Sequence, residues 1–247
     1  MTRGLRLERL SKTFANGTRA LTELSADLAP GAFVSLLGPS GCGKSTVLRL
    51  IAGLDEPSAG RVLWQNGPGK LAFVFQEPTL LDWLTAARNA SLPLELHGMH
   101  RRAAEAEARQ VLSQVDLADF TEAMPRELSG GMRMRVSIAR ALAARPDVLL
   151  MDEPFAALDE LTRNRLNDDL LSLWREHRFT AVFVTHSVFE AVYLSQRVLI
   201  LSDRPGKLVA DIINPAPYPR VPGYRTSAAL NALAAEILAV LQRQVEA

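Results

Sequence analysis

The segment Gly38-Pro39-Ser40-Gly41-Cys42-Gly43-Lys44-Ser45-Thr46 leaves this chain little freedom. It fits the pattern G-x-x-x-x-G-K-[ST], which needs a buried strand before it and a helix after it. Both flanks comply: Phe33 to Leu37 predicts the strand, and Val47 to Ile51 continues as helix. A polyphosphate concentrates negative charge, and the N–H groups at a helix N-terminus oppose it together with the positive end of the helix dipole. Gly38, Gly41 and Gly43 remove Cβ atoms where the backbone must curl around oxygens, so that successive N–H groups form an anion nest, with Pro39 and Ser40 completing the loop. Lys44 adds a cation toward the β- and γ-phosphates. Ser45 offers a hydroxyl to magnesium, which takes oxygen ligands in near-octahedral geometry. Thr46 caps the helix start or touches the α-phosphate.

Composition narrows the surroundings. A chain of 247 residues can bury the core of one compound domain or of two closely packed ones. With 28 Lys+Arg against 27 Asp+Glu, the formal charge of +1 gives no basic field for nucleic acid. Although 48% of residues are hydrophobic, no run approaches the roughly 18 apolar residues of a membrane span. Met1-Thr2-Arg3-Gly4 leads directly into a strand-like segment, so no secretory signal is read and a cytosolic chain is predicted. The single cysteine, Cys42, excludes an intrachain disulfide and a cysteine-rich metal site. Its place near a helix N-terminus offers a redox-switch reading beside the simpler one of a small spacer.

Strands are predicted at Leu5 to Leu10, Ala20 to Leu28, Gly60 to Trp64 and Leu71 to Phe75, with Asn16-Gly17 and Pro30-Gly31 as turns. From Ala86 the pattern turns helical, with an amphipathic stretch from Arg101 to Leu117. Strand patterns return at Val148 to Met151, Ala181 to Val184, Arg197 to Leu201 and Leu208 to Ile213. The predicted organisation is an α/β core over 1–85 and 143–213, interrupted by a helical subdomain over 86–142. A linker and helix follow over 214–247, with Leu230, Leu233, Ile237, Leu238 and Leu241 lining one helical face that packs against the core or a second copy.

The apolar run ending in Asp152-Glu153-Pro154 describes a central strand delivering two acids to its C-terminal end, where ligands gather in open α/β sheets. On an extended strand the two point to opposite sides. Asp152 then suits the magnesium shell, and Glu153 suits the water that attacks the γ-phosphate. His186 and Gln76 each follow a strand: the first is placed for the γ-phosphate or the attacking water, the second for magnesium.

Leu128-Ser129-Gly130-Gly131, upstream of Asp152, joins these motifs to Ala156-Ala157-Leu158-Asp159 and His186 in an order that closely resembles the nucleotide-binding subunits of ATP-binding cassette (ABC) transporters. The resemblance spans residues 4–213. It implies a P-loop NTPase core of ABC type with an antiparallel β subdomain and the inserted helical subdomain. It also implies hydrolysis of ATP with magnesium, and a homodimer in which two copies meet head to tail. Ser129, Gly130 and Gly131 would then contact the γ-phosphate held by the other copy, and Asp159 would cross the interface. Phe14 stands where an aromatic ring stacks on adenine, with ordinary core packing as the alternative. Glu153, His186 and Gln76 would be catalytic; Ser45, Gln76 and Asp152 would hold magnesium.

A finer likeness in Phe73 to Trp83 and Phe183 to Pro205 is to ATPase subunits of bacterial importers for nitrate, sulfonates, taurine and thiamine-precursor pyrimidines. It implies a transmembrane permease as partner, a periplasmic or lipoprotein solute-binding protein indirectly, no nucleic acid, and a place on the cytoplasmic face of the inner membrane. Trp83 is the expected permease anchor, with core packing as its alternative. Three positions depart from the pattern: Met134 replaces a usual glutamine, Ser187 an acid, and the Trp64 to Ala72 segment is short.

Overall fold

The computed structural model describes residues 3–245; the parts of the terminal expectations that fall on Met1, Thr2, Glu246 and Ala247 lie outside them. In chain order the elements begin β1 Leu5–Thr13, β2 Arg19–Leu28, β3 Phe33–Leu37, α1 Lys44–Ile51, β4 Ala59–Trp64 and β5 Leu71–Val74. There follow α2 Ala86–Leu96, α3 Arg101–Gln114, α4 Gly130–Ala143, β6 Val148–Asp152, α5 Glu160–His177, β7 Thr180–Val184, α6 Val188–Leu194, β8 Arg197–Leu201, β9 Leu208–Ile213 and α7 Ala228–Val245. The described residues form two compact units, one of 3–69 and 179–245, the other of Lys70–Arg178.

In the first unit β1 pairs antiparallel with β2 and with β4, giving the expected antiparallel sheet. A second layer is built on β3, whose every residue is buried. That is why its sequence runs apolar without alternation, since both faces are covered. β3 lies parallel between β7 and β8, with Phe33 opposite Ala181 and Val34 opposite Arg197. β9 closes the edge antiparallel to β8, and its residues alternate half-buried with exposed as one-sided packing requires. α1 packs against β2 and β7 through Val47, Leu48, Leu50 and Ile51. Each such aliphatic side chain contributes about 1.5–3 kcal/mol on full burial.

In the second unit β5 and β6 are parallel, Leu71 opposite Val148, and α2, α3 and α4 pack on one another. Asn89 of α2 is fully buried and spends its amide on the preceding loop. Its Oδ1 accepts from the Leu81 N–H, while Nδ2 donates to the carbonyls of Leu81, Leu84 and Thr85. Trp83, held within that loop, is 73% exposed, so the core alternative for it is overturned.

The predicted face of α7 is only partly buried within the chain. Leu230, Ala234 and Ile237 are buried, whereas Leu238 is 40% exposed. The spacing i, i+4, i+7 runs through an alanine that hydrophobicity alone underweights. The connection before α7 is held by Arg220, which donates to the carbonyls of Val192, Tyr193 and Ser195 at the end of α6 and to Ala216. Its guanidinium also stacks 3.9 Å from the Tyr218 ring centroid. The last carbonyls of a helix have no intrahelical partner, and here one cation satisfies several. Arg220→Ala should therefore lower unfolding stability in urea by about 2–4 kcal/mol at unchanged m. A value within about 0.5 kcal/mol of wild type would show that water replaces the clamp.

Candidate functional site

In the first unit the loop between β3 and α1 has the backbone its glycines predict. Gly41 and Gly43 lie at φ 75° and 108°. A Cβ on Gly43 would sit 2.9 Å from the Ala20 carbonyl oxygen, and one on Gly38 would sit 2.8 Å from the Cys42 sulfur. Space and conformation both select glycine there. Gly43 also occupies the N-cap position of α1, where no side chain caps the helix. Thr46 therefore lies inside the first turn and is not the cap, and the leading N–H groups carry no side-chain cap of the kind that competes for an anion.

Lys44 is 4% exposed, and its Nζ donates to the carbonyls of Gly38 at 2.8 Å and Pro39 at 2.9 Å. The cation thus sits on the loop's own oxygens, a group that phosphate oxygens can outbid through charge. Together with the glycines and the uncapped helix start, this fits a polyphosphate. Ser45 is exposed beside it. Cys42 is fully buried, and burial pushes its thiol up, with the Lys44 ammonium opposing only in part. The redox-switch reading fails on both counts.

His186 is exposed on the turn after β7. Thr185, Ser187 and Glu190 set that turn: Thr185 Oγ1 accepts from the Ser187 N–H and donates to Glu190, and Ser187 Oγ caps α6 through the Glu190 N–H. Sequence reading missed Thr185 and Glu190, although Ser-x-x-Glu at 187–190 is the signal of a capped helix start. Ser187, the departure from the pattern, serves as that cap through its hydroxyl, a role an acid there would also fill. Phe14, on the turn after β1, is 38% exposed with Lys12 Nζ 5.3 Å from its ring centroid, so it is not a core residue.

In the second unit β6 is buried up to Met151, and Asp152 is half-buried at its end. Glu153 has φ 49°, so the chain leaves the extended conformation at the second acid. Opposite-side alternation therefore does not separate the two carboxylates; a left-handed turn does. Asp159 caps α5, its Oδ1 accepting from the Thr162 N–H at 3.0 Å, and this holds its carboxyl below the usual range. Gln76 is exposed just beyond β5.

Ser129 is the N-cap of α4, its Oγ accepting from the Met132 N–H at 3.2 Å. Gly130 and Gly131 form the first turn, and a Cβ on Gly131 would lie 2.9 Å from the Thr162 methyl. An open cavity of about 290 Å³, of mixed polar and apolar lining, includes Ser129, Gly131, Phe120, Arg135, Leu161 and Arg165. At the opposite end of α4, Arg140 donates to the carbonyls of Pro78 and Thr79. Sequence reading gave Arg140 no role. Met134 is buried in α4, so its replacement of glutamine adds core rather than surface.

A family model described as ABC transporter matches residues 21–156. An aliphatic sulfonates import ATP-binding protein of Rhizobium johnstonii is 46% identical over 220 residues, covering 87% of this chain and 78% of that one. One of the same name from Bacillus cereus is 42% identical, covering 87% of each. Among solved structures, a dimeric ATP-binding cassette in a post-hydrolysis state bound to ADP and Pi superposes with a TM-score of 0.75. It is 33% identical, covering 85% of this chain and 98% of its own.

The buried, up-shifted Cys42 thiol makes its own prediction. At pH 8 the native chain should be alkylated on the order of 100-fold more slowly than the urea-unfolded chain. Equal rates, read by mass spectrometry, would reinstate a reactive loop cysteine.

Proposed function

The chain belongs to the ABC transporter family, and from that premise we propose that it is the ATP-hydrolysing subunit of a bacterial importer. The cargo class is a small organic or inorganic anion or related molecule of the nitrate, sulfonate, taurine or thiamine-precursor kind. Sulfonates are favoured by the names of its relatives. The observation that carries the proposal is the Gly38–Thr46 loop with Lys44 resting on its carbonyls.

In this reading the loop N–H groups and Lys44 bind the phosphates, and Lys44 exchanges two neutral carbonyls for charged oxygens. Phe14 gives its exposed ring to adenine. Ser45, Gln76 and Asp152 each carry an oxygen of the type magnesium takes; when bound, the ion offsets phosphate charge. Glu153 orients the attacking water and accepts its proton, while His186 donates toward the γ-phosphate. Ser129, Gly130 and Gly131, at a capped helix start, complete the site of a second copy in a head-to-tail homodimer, and Asp159 lies at that interface. The exposed Trp83, in a loop tied down by Asn89 and Arg140, docks a permease segment; the solute-binding protein acts through the permease alone. The chain works on the cytoplasmic face of the inner membrane. Among the described residues no helix is long and apolar enough to span a bilayer, so its hold on the membrane comes from the permease.

Two substitutions separate binding from chemistry. Lys44→Ala should weaken ATP binding and abolish turnover, whereas Glu153→Gln should keep ATP, lose hydrolysis by a factor on the order of 10² or more, and accumulate as dimer with ATP and magnesium. Wild-type turnover in the first, on protein free of host ATPases, would remove the assignment; normal hydrolysis in the second would move the base elsewhere. For the permease surface, Trp83→Ala should fold and hydrolyse ATP alone as wild type does, yet co-purify more weakly with its permease. Unaltered co-purification would place the anchor at another residue.

A further inference from the structure

The turn that follows β8, residues 202–207, is built before it meets the phosphate loop. Ser202 Oγ accepts from the Lys207 N–H at 2.9 Å, and Asp203 Oδ1 accepts from the Arg204 N–H at 2.7 Å. Gly206 is tied to β2 on both sides: its N–H donates to the Ala20 carbonyl, and its own carbonyl accepts from Thr22. From this turn Arg204 donates through Nε and Nη2 to the Gly41 carbonyl, at 3.0 and 2.8 Å. Two residues on, a Cβ at Gly206 would lie 2.2 Å from the Cys42 carbonyl oxygen, so that oxygen rests directly on the glycine.

A trans peptide is planar, with its C=O and N–H pointing in opposite directions. Holding the Gly41 carbonyl toward Arg204 therefore turns the Cys42 N–H back into the loop, where it donates to Pro39 at 3.3 Å. Seating the Cys42 carbonyl on Gly206 orients the Gly43 N–H by the same constraint. Gly41 and Gly43 permit their positive φ values but do not hold them, because a residue without Cβ is the least restrained in the chain. The restraint has to come from outside the loop, and the 204–206 turn supplies it.

We propose that Arg204 and Gly206 are positioning residues for nucleotide binding, Arg204 fixing the 41–42 peptide in the turn that the Cys42 N–H closes on Pro39, and Gly206 fixing the 42–43 peptide with its N–H facing the bound polyphosphate. The proposal rests on the reading of Gly38–Thr46 as the ATP loop. Arg204 needs both of its donors on one oxygen, an arrangement that the single ammonium of lysine reproduces only in part.

The test measures ATP and ADP binding by calorimetry on the purified chain, with steady-state ATPase and the thermal midpoint without nucleotide. Arg204→Ala should weaken both nucleotides about tenfold and raise KM accordingly, with kcat falling less than KM rises. Its nucleotide-free midpoint should stay within about 2 °C of wild type, because Arg204 is exposed. Arg204→Lys should recover part of the affinity. Gly206→Ala, which forces the Cys42 carbonyl to move, should cost more affinity than Arg204→Ala; should that variant not fold, the arginine pair still decides. Wild-type affinity in Arg204→Ala overturns the positioning role and leaves the ATPase reading intact. A fall in the nucleotide-free midpoint with KM unchanged also overturns it, as a purely structural role. A wild-type chain that binds no ATP overturns the loop reading itself, and the proposal with it.

Discussion

A cluster of phosphate charge can be met by backbone N–H groups only where the chain carries no Cβ to keep it away, and every feature around residues 38–46 follows from that constraint. Glycine at 38 and 43 is demanded twice, by positive φ and by neighbours that would touch a side chain at under 3 Å. The same freedom that admits the shape leaves it soft. The surrounding fold supplies stiffness: β3 is buried along its whole length, α1 anchors through four apolar residues, and Lys44 bonds two loop carbonyls. A loop so held loses little further entropy when a ligand arrives, which is the advantage of preorganisation.

The second unit applies the same economy to a helix. α4 starts at Gly130 behind its Ser129 cap, two glycines leave its first turn without side chains, and near its end Arg140 grips the backbone at Pro78 and Thr79. A single rigid element therefore spans the glycine signature and the loop that exposes Trp83. Asn89 ties the same loop to α2 from its other side. Arg140 holds that loop by the Pro78 and Thr79 carbonyls and by the Thr79 hydroxyl, so the far end of α4 and the loop are joined at three acceptors. Burial lowers the pKa of the Arg140 guanidinium, though it stays a cation at any working pH, so this link does not depend on titration.

Much of the architecture was legible in the residues: the predicted strands and the helical stretch from Ala86 lie within a few positions of the hydrophobic patterns, and the glycine loop stands where its motif demands, whereas α5 and α6 were not read. Local spacing suffices for these because they depend on neighbours in sequence. The particulars of the site were less legible. The left-handed Glu153 replaced an expected extended alternation, and Thr46 gave up the cap to Gly43. On α7, Ala234 is buried while Leu238 is 40% exposed. Each of these turns on which partner lies within a few ångströms, and hydrophobicity along the chain carries no record of that.

By itself, then, the sequence determined that a phosphate-binding loop would sit between a buried strand and a helix, and that a second glycine-rich helix start would accompany an acidic strand end. Only the tertiary structure decided what each cation holds: Lys44 the carbonyls of Gly38 and Pro39, Arg204 that of Gly41, Arg140 those of Pro78 and Thr79, and Arg220 the end of α6. The reason is physical. Glycine and apolar spacing act over one or two turns of chain, whereas an arginine reaches any carbonyl that folding brings within 3 Å, and for Arg204 that carbonyl lies more than half the chain away.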